Sequence, residues 1–473
     1  MLASRTFGAE DQARFAAMSG DFNPIHLDPV AARRTYAGEI VVHGMHLLIW
    51  LLDSIKAQFP DIPRPSALKV RFREPVYLGQ RVDVTVVKHS SDSLRADVLA
   101  GSGKALELTA SFGPPPTVVA AHGFTAKQVP RSAEPRDLRL EEAANESGQI
   151  SFAQTCSAFD TAFPHAAGLM GAERVAALAC SSFLVGMVVP GLHSIYGGLN
   201  LALADADGTA QLNFVVASVD SRMRRVLLRI EGGGLSGTID AFGRVPPVAQ
   251  CSMDLASARV DPGEFGGSVA LIVGGSRGLG EVTANLIAAG GGRVIVTYST
   301  GAIDARNVAD RIRAWGGQCS VLAYSVWRGA EQQCRALGDI PTHIYYFATP
   351  NIARRFSGLC SRERLEEFQK FYVHGFLDLI DAARTLGWGG ISAFYPSTTF
   401  VEQRPPGMVE YAMAKAAGEL LCAEINRFTP GIRVIARRLP RVLTDQTVSL
   451  IQRKSEDALE VMLPIVRMMQ LNI

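Results

Sequence analysis

Hydrophobic positions along the chain fall into three successive patterns. The first holds an apolar helical stretch from His43 to Lys56 and a turn at Pro60-Asp61. Segments alternating at period two follow, Leu68 to Phe72, Arg81 to Val87 and Ala105 to Phe112, and these predict strands with one apolar face. The second repeats the order: a helix from Glu173 to Met187, a turn at Pro190-Gly191, then strands in LNLALA, LNFVVASV and RRVLLRIE. A shift of 130 residues carries His43 onto Glu173 and Pro60 onto Pro190. Beyond DPGEFGG (Asp261 to Gly267) apolar strand runs alternate with amphipathic helices, which predicts a parallel α/β sheet.

One long helix wrapped by an antiparallel sheet, twice over, is a double hot-dog arrangement of α+β class; two unrelated small α+β units fit the same periodicity. The predicted fold is this pair followed by a Rossmann-type doubly wound parallel sheet. Pro114, Pro115 and Pro116 open a polar, charge-rich stretch, so the expected division is 1–113, a linker over 114–147, a second unit over 148–260 and an α/β domain over 266–473.

Composition narrows the function classes. A length of 473 residues suits several domains, and a net charge of +2 leaves no basic footprint for nucleic acid, so a small-molecule substrate is expected. The seven cysteines are scattered and never form a CxxC pair, which implies neither a disulfide framework nor a metal site. MLASRTFGAED lacks a signal pattern and no run of eighteen apolar residues follows, so no membrane span is expected and a cytoplasmic location is.

In SGDFNPIHLDP (Ser19 to Pro29), Pro24 disfavours helix at Asn23, so Asp21 and His26 sit on a turn that can aim both side chains into one pocket. Hydration of a conjugated enoyl thioester needs a group to take a proton from water, a proton donor for C2 and a donor to the enolate oxygen. Asp21 and His26 can supply the first two. The backbone N–H of Gly44, in the HGM that opens the long helix, can supply the third, because a helix N-terminus presents unpaired N–H groups. The same DxNPxH turn also fits a purely structural role, with Asp21 as a cap.

This stretch, with HGM and VRFREPVYLGQRVDV, resembles the MaoC-like (R)-specific enoyl-CoA hydratases over residues 1 to 113. The resemblance implies a hot-dog fold, Asp21 and His26 as the catalytic pair and Gly44 as the oxyanion donor. VVPGLHSIYGGLNLAL (Val188 to Leu203) resembles the same family. The 130-residue shift, however, carries Asp21 and His26 onto Ser151 and Cys156, so this half is expected to complete the fold and the acyl tunnel without catalysing. His193 and Ser194 read as turn residues.

The third block opens with the strand SVALIVGG, the loop GGSRGLG (Gly274 to Gly280) and a helix, the order of a dinucleotide-phosphate cradle. Gly274, Ser276, Arg277, Gly278 and Gly280 are its candidate contacts. Tyr298, Ser299 and Thr300 stand where an NAD-selective site usually places a carboxylate; with Arg277 available for a 2′-phosphate, NADP(H) is preferred over NAD(H). Further on, Ser397 lies fourteen residues before Tyr411, and Lys415 four after it on the same helical face. A tyrosine exchanges a proton near neutrality only beside a cation, a role that suits Lys415.

The combination resembles the short-chain dehydrogenase/reductase family over about residues 266 to 445, which implies hydride transfer at Ser397, Tyr411 and Lys415. It also makes LPRVLT (Leu439 to Thr444) the nicotinamide-flanking loop, with Thr444 a cofactor contact. The family's usual asparagine before the serine strand corresponds to His374, read as a proton relay or as a buried histidine. FATPN (Phe347 to Asn351) replaces an NAG-type segment, and no final glycine-rich strand is read before Ile473.

Together these resemblances imply an NADP(H)-dependent 3-oxoacyl reductase joined to an (R)-3-hydroxyacyl dehydratase/enoyl hydratase acting on acyl-CoA or acyl carrier protein thioesters, with a homodimer expected. Peroxisomal multifunctional enzymes are similar in pairing the two families, in reverse order. The alternatives are a hydratase with an altered reductase domain, and a non-catalytic acyl-binding subunit of a lipid or polyketide assembly.

Overall fold

The structure is a computed structural model that describes residues 2–114, 123–205, 208–352, 354, 358–447 and 454–471. Pro115 and Pro116 lie outside them. The chain divides into two compact units, Met1–Pro246 and Pro247–Ile473.

The first unit is built on one ten-stranded antiparallel sheet. Its strands are β1 (Ala3–Thr6), β2 (Ala67–Phe72), β3 (Arg81–His89), β4 (Ser93–Ala100), β5 (Gly103–Ser111), β6 (Ser147–Ser151), β7 (Ser194–Leu203), β8 (Gln211–Asp220), β9 (Arg225–Gly232) and β10 (Leu235–Gly243). Their order is β1-β3-β4-β5-β2-β7-β10-β9-β8-β6, which reads alike from either end: two five-stranded halves meet where β2 pairs with β7, from Ala67 opposite Ala202 to Arg71 opposite Gly198. Each half carries a central helix. Gly44–Gln58 buries Met45, Leu47, Leu48, Ile49, Leu51 and Leu52, being apolar on most of its circumference because sheet and neighbouring helices enclose it. Its counterpart runs Ala172–Phe183 and continues through a wide π-type turn, Leu184–Val188, where the sequence pattern predicts unbroken helix from Glu173 to Met187. Strand burial alternates as the period-two pattern demands, most regularly along β9.

The expected linker is fastened to this unit over its described residues. Arg136 forms a two-pronged ion pair with Glu146 at 2.8 and 2.6 Å, and its N–H donates to the Met187 carbonyl. Arg131 reaches the Ser19 carbonyl at 2.9 Å. The second boundary also differs from the expected one. The helix Met253–Ser257, capped by Ser252, buries Met253 and Ala256 with Phe265 in the core of the second unit, so residues 247–260 pack with the α/β domain rather than with the hot-dog pair.

The second unit is a six-stranded parallel sheet: β11 (Val269–Val273), β12 (Arg293–Tyr298), β13 (Gln318–Ala323), β14 (His343–Tyr346), β15 (Ile391–Thr398) and β16 (Ile432–Leu439), in the order β13-β12-β11-β14-β15-β16. Every residue of β14 and β15 is buried, as befits strands covered on both faces. Order reverses at β11, so the crevice of a doubly wound sheet opens beyond its C-terminal end, where the glycine-rich loop lies.

Candidate active sites

In the first unit, Asp21 and His26 flank a short 3₁₀ turn, Pro24–His26. Asn23 locks it: its side-chain oxygen accepts from the Ile25 N–H, while Nδ2 donates to the carbonyls of Gly186, Gly191 and Leu192 at 2.8, 3.2 and 3.2 Å. His26 Nδ1 donates to the Val41 carbonyl at 2.8 Å, which fixes the tautomer and leaves Nε2 as a proton acceptor. The His26 ring stacks on that of His43 at 3.9 Å, and a carboxylate oxygen of Asp21 and a ring nitrogen of each histidine lie within 4.8 Å of one another. Asp21 is 2% exposed. Burial raises its carboxyl pKa, opposed by the His26 charge and by bonds from Ser182 and the Asn23 N–H. Burial lowers His26, opposed by Asp21, and holds His43 well below the usual imidazole range.

Two contributors to this site are invisible to the sequence pattern, and both come from the second half. Ser182 Oγ donates to Asp21 Oδ2 at 2.6 Å. Gly186, in the wide turn, leaves room for the carboxylate, since a Cβ there would lie 2.4 Å from Asp21 Oδ1. Gly44 is the first residue of its helix, so its N–H has no partner within the helix. A Cβ on Gly44 would meet the Phe72 ring at 2.9 Å, so glycine here also permits that ring to approach.

In the second unit, Gly274 (φ 84°) and Gly278 (φ 58°) hold left-handed conformations, and a Cβ on Gly280 would come 2.3 Å from the Gly274 carbonyl oxygen. Arg277 is the N-cap of the helix Gly278–Ala289, with Ser276 buried beside it. Loop and helix N-terminus therefore form the tight anion-facing cradle that a dinucleotide pyrophosphate fits. Thr444 lies 3.7 Å from where a Gly278 Cβ would be, its N–H bonded to Thr447 Oγ1. Ser299 is exposed past the end of β12. Arg277 makes a 3.6 Å ion pair with buried Asp445, so it does not stand free for a phosphate.

Tyr411 and Lys415 share a face of the helix Val409–Phe428. The Thr398 side chain, and not Ser397, counters the rise that burial causes in the Tyr411 phenol. Ser397 Oγ is turned to Glu419 Oε1 at 2.5 Å, eight residues beyond Tyr411 on the same helix, within a cluster that includes Arg438. Thr398 thus joins the candidate site beside Tyr411, while the Ser397 hydroxyl is engaged by Glu419. His374 also falls elsewhere: it is exposed, and the residue facing Lys415 is Tyr372, whose ring centroid lies 3.9 Å from Nζ. Lys415 donates to the Pro396 carbonyl at 2.6 Å, and burial pulls its pKa down to about 7. Burial pushes Tyr411 up to about 12.

Residues 2–107, within the first unit, match the family model described as MaoC like domain, and the second unit has a Rossmann-type doubly wound parallel sheet. The chain is similar to the (R)-specific enoyl-CoA hydratase of Aeromonas caviae, 39% identical over 87 residues, 18% of this chain and 63% of that protein. It is also similar to a short-chain dehydrogenase of Passalora fulva, 28% identical over 174 residues, 35% of this chain and 64% of that protein. The chain therefore spans less than two thirds of each of these relatives. A solved short-chain dehydrogenase from Burkholderia cenocepacia in complex with NADP superposes with a TM-score of 0.39 at 20% identity, covering 44% of this chain and 91% of that one. Among the described residues, no single helix is long and apolar enough to cross a membrane.

Proposed function

We propose that this chain is a two-activity acyl-thioester enzyme, an (R)-3-hydroxyacyl dehydratase/enoyl hydratase in its first unit and a 3-oxoacyl reductase in its second. What supports this most is the approach of the Asp21 carboxylate and the His26 ring within 4.8 Å beside the N-terminus of the Gly44 helix.

In the hydration direction, water sits between Asp21 and the unprotonated Nε2 of His26. Its oxygen bonds to C3 as the pair takes a proton, electron density moves to the thioester oxygen, and the Gly44 N–H holds that oxygen. Return of a proton from the pair to C2 completes addition of H and OH; dehydration is the reverse.

In the second unit, the cradle of Gly274, Ser276, Gly278 and Gly280, with Thr444, would hold a nicotinamide dinucleotide, which supplies a hydride to a C3 carbonyl when bound. Tyr411 gives its phenolic proton to the carbonyl oxygen, Thr398 orients that hydroxyl, and the Lys415 charge favours the phenolate left behind. NADPH is favoured over NADH because Tyr298, Ser299 and Thr300 present no carboxylate to repel a 2′-phosphate. The two reactions share a 3-hydroxyacyl thioester. The test supplies NADPH with 3-oxoacyl-CoA, and separately crotonyl-CoA with water, and resolves products by mass. NADPH consumption with hydroxyacyl and enoyl products is expected; hydration without any consumption would leave the hydratase alone.

A further inference from the structure

The helix Arg362–Gln369 passes into Gly375–Thr385 through one wide turn, Lys370–His374, and two carbonyls of that turn receive hydroxyls from the sheet. Tyr346 Oη donates to the Phe371 carbonyl at 2.7 Å, and Tyr395 Oη to the Tyr372 carbonyl at 3.0 Å. Both hydroxyls reach the turn only past glycines: a Cβ on Gly375 would lie 2.7 Å from Tyr346 Oη, and one on Gly418 1.9 Å from Tyr395 Oη. The Tyr372 hydroxyl is itself pinned to Thr349 Oγ1 at 2.5 Å. A wide turn held at three points presents one aromatic face to the Lys415 ammonium, at 3.9 Å, with the Tyr395 ring at 4.9 Å and the Tyr411 ring at 6.0 Å.

We propose that Tyr372 is the positioning residue of this site: its ring face seats the Lys415 ammonium against the Pro396 carbonyl by a cation–π contact, holding the charge in reach of the Tyr411 hydroxyl. The proposal rests on the reductase reading of the second unit. An ammonium that is 5% exposed needs compensation. The groups facing it are Tyr372 from the turn, Tyr395 from β15, and Tyr411, Glu419 and Cys422 from its own helix. Of these, Glu419 is already engaged by Arg438 and Ser397. The attraction of a ring face for a cation favours the charged form, so weakening the ring lowers the lysine pKa.

The test keeps the shape and drains the ring. In the full chain, residue 372 is replaced by phenylalanine and then by mono- and trifluorophenylalanine, which weaken the π face stepwise at nearly constant volume. The Lys415 titration is followed through the ¹³Cε resonance of lysine-labelled protein, assigned with Lys415→Met, and the pH profile of NADPH-dependent turnover is measured alongside. Tyr372→Phe should cost no more than about three-fold in kcat, since the ring survives. Across the fluorinated series the lysine midpoint should fall by about one pH unit in all, with kcat following it and KM nearly constant. A titration midpoint unmoved across the series overturns the proposal. A stepwise fall in a protein that shows no NADPH turnover even as wild type upholds the seat and overturns the reductase reading instead.

Discussion

Ser182 Oγ donates to Asp21 Oδ2 at 2.6 Å, joining a helix of the second hot-dog half to the acidic residue of the first across 161 positions of chain. The half with no counterpart of Asp21 and His26 thus supplies a bond to the pair proposed to catalyse. A bond to the ionised carboxylate favours ionisation, so its loss raises the Asp21 pKa further. Ser182→Ala is expected to move the acid limb of the hydratase pH profile upward by about one unit, with kcat down about ten-fold on that limb and less on the alkaline side. A pH series with crotonyl-CoA measures this.

Asp21→Asn separates activity from stability. Hydration should fall by about a thousand-fold or more, since the carboxylate that takes the water proton is gone. Burial raises the folded-state pKa of Asp21 above its unfolded value, so its ionised form opposes folding, and the stability present at acid pH is lost as pH rises through the folded pKa. Removing the charge should therefore leave the Tm of the first unit unchanged or higher at pH 7, with the gain vanishing near pH 4. Calorimetry at both pH values reads the sign.

Gly186→Ala places a methyl 2.4 Å from Asp21 Oδ1, in a turn whose Gly186 carbonyl also receives Asn23 Nδ2. The carboxylate must shift, and hydratase kcat should drop by about a hundred-fold because ångström misplacement of a reacting group is costly. Reductase turnover of the same protein, the internal control, should be untouched.

Thr398→Ala and Ser397→Ala divide the two neighbouring hydroxyls. Loss of the Thr398 hydroxyl, which favours the ionised form of Tyr411, should cost about a hundred-fold in reductase kcat. Ser397→Ala, which frees only an oxygen of Glu419, should cost less than about three-fold. The opposite ranking of the two kcat values would restore the sequence-based assignment.

Legibility in the sequence follows the distance over which each feature is encoded. Asp21, Asn23 and His26 are readable because six consecutive residues, one of them a proline, define their turn. The cradle is readable because Gly274, Gly278 and Gly280 satisfy local backbone demands. Ser182 and Gly186 are not, since the docking of β2 on β7 decides which second-half residues reach Asp21. The engagement of Ser397 by Glu419 is not readable either, since only the packing of the helix Val409–Phe428 on β15 brings the two together. Tyr372 escapes for a different reason: a wide turn displaces helical phase, so His374, the position read from the sequence, ends in solvent.

The β2–β7 seam makes two sheets one molecule. Where two separate subunits meeting along such a seam would part on dilution, here covalent connection keeps the halves at a fixed local concentration, so assembly of the Asp21 site does not depend on how much protein is present. The same tether ends the symmetry that identical subunits must obey. One sequence position can then serve the carboxylate in one half and be free to change in the other, which is how a helix that offers Leu51 and Leu52 in the first half can offer Ser181 and Ser182 in the second.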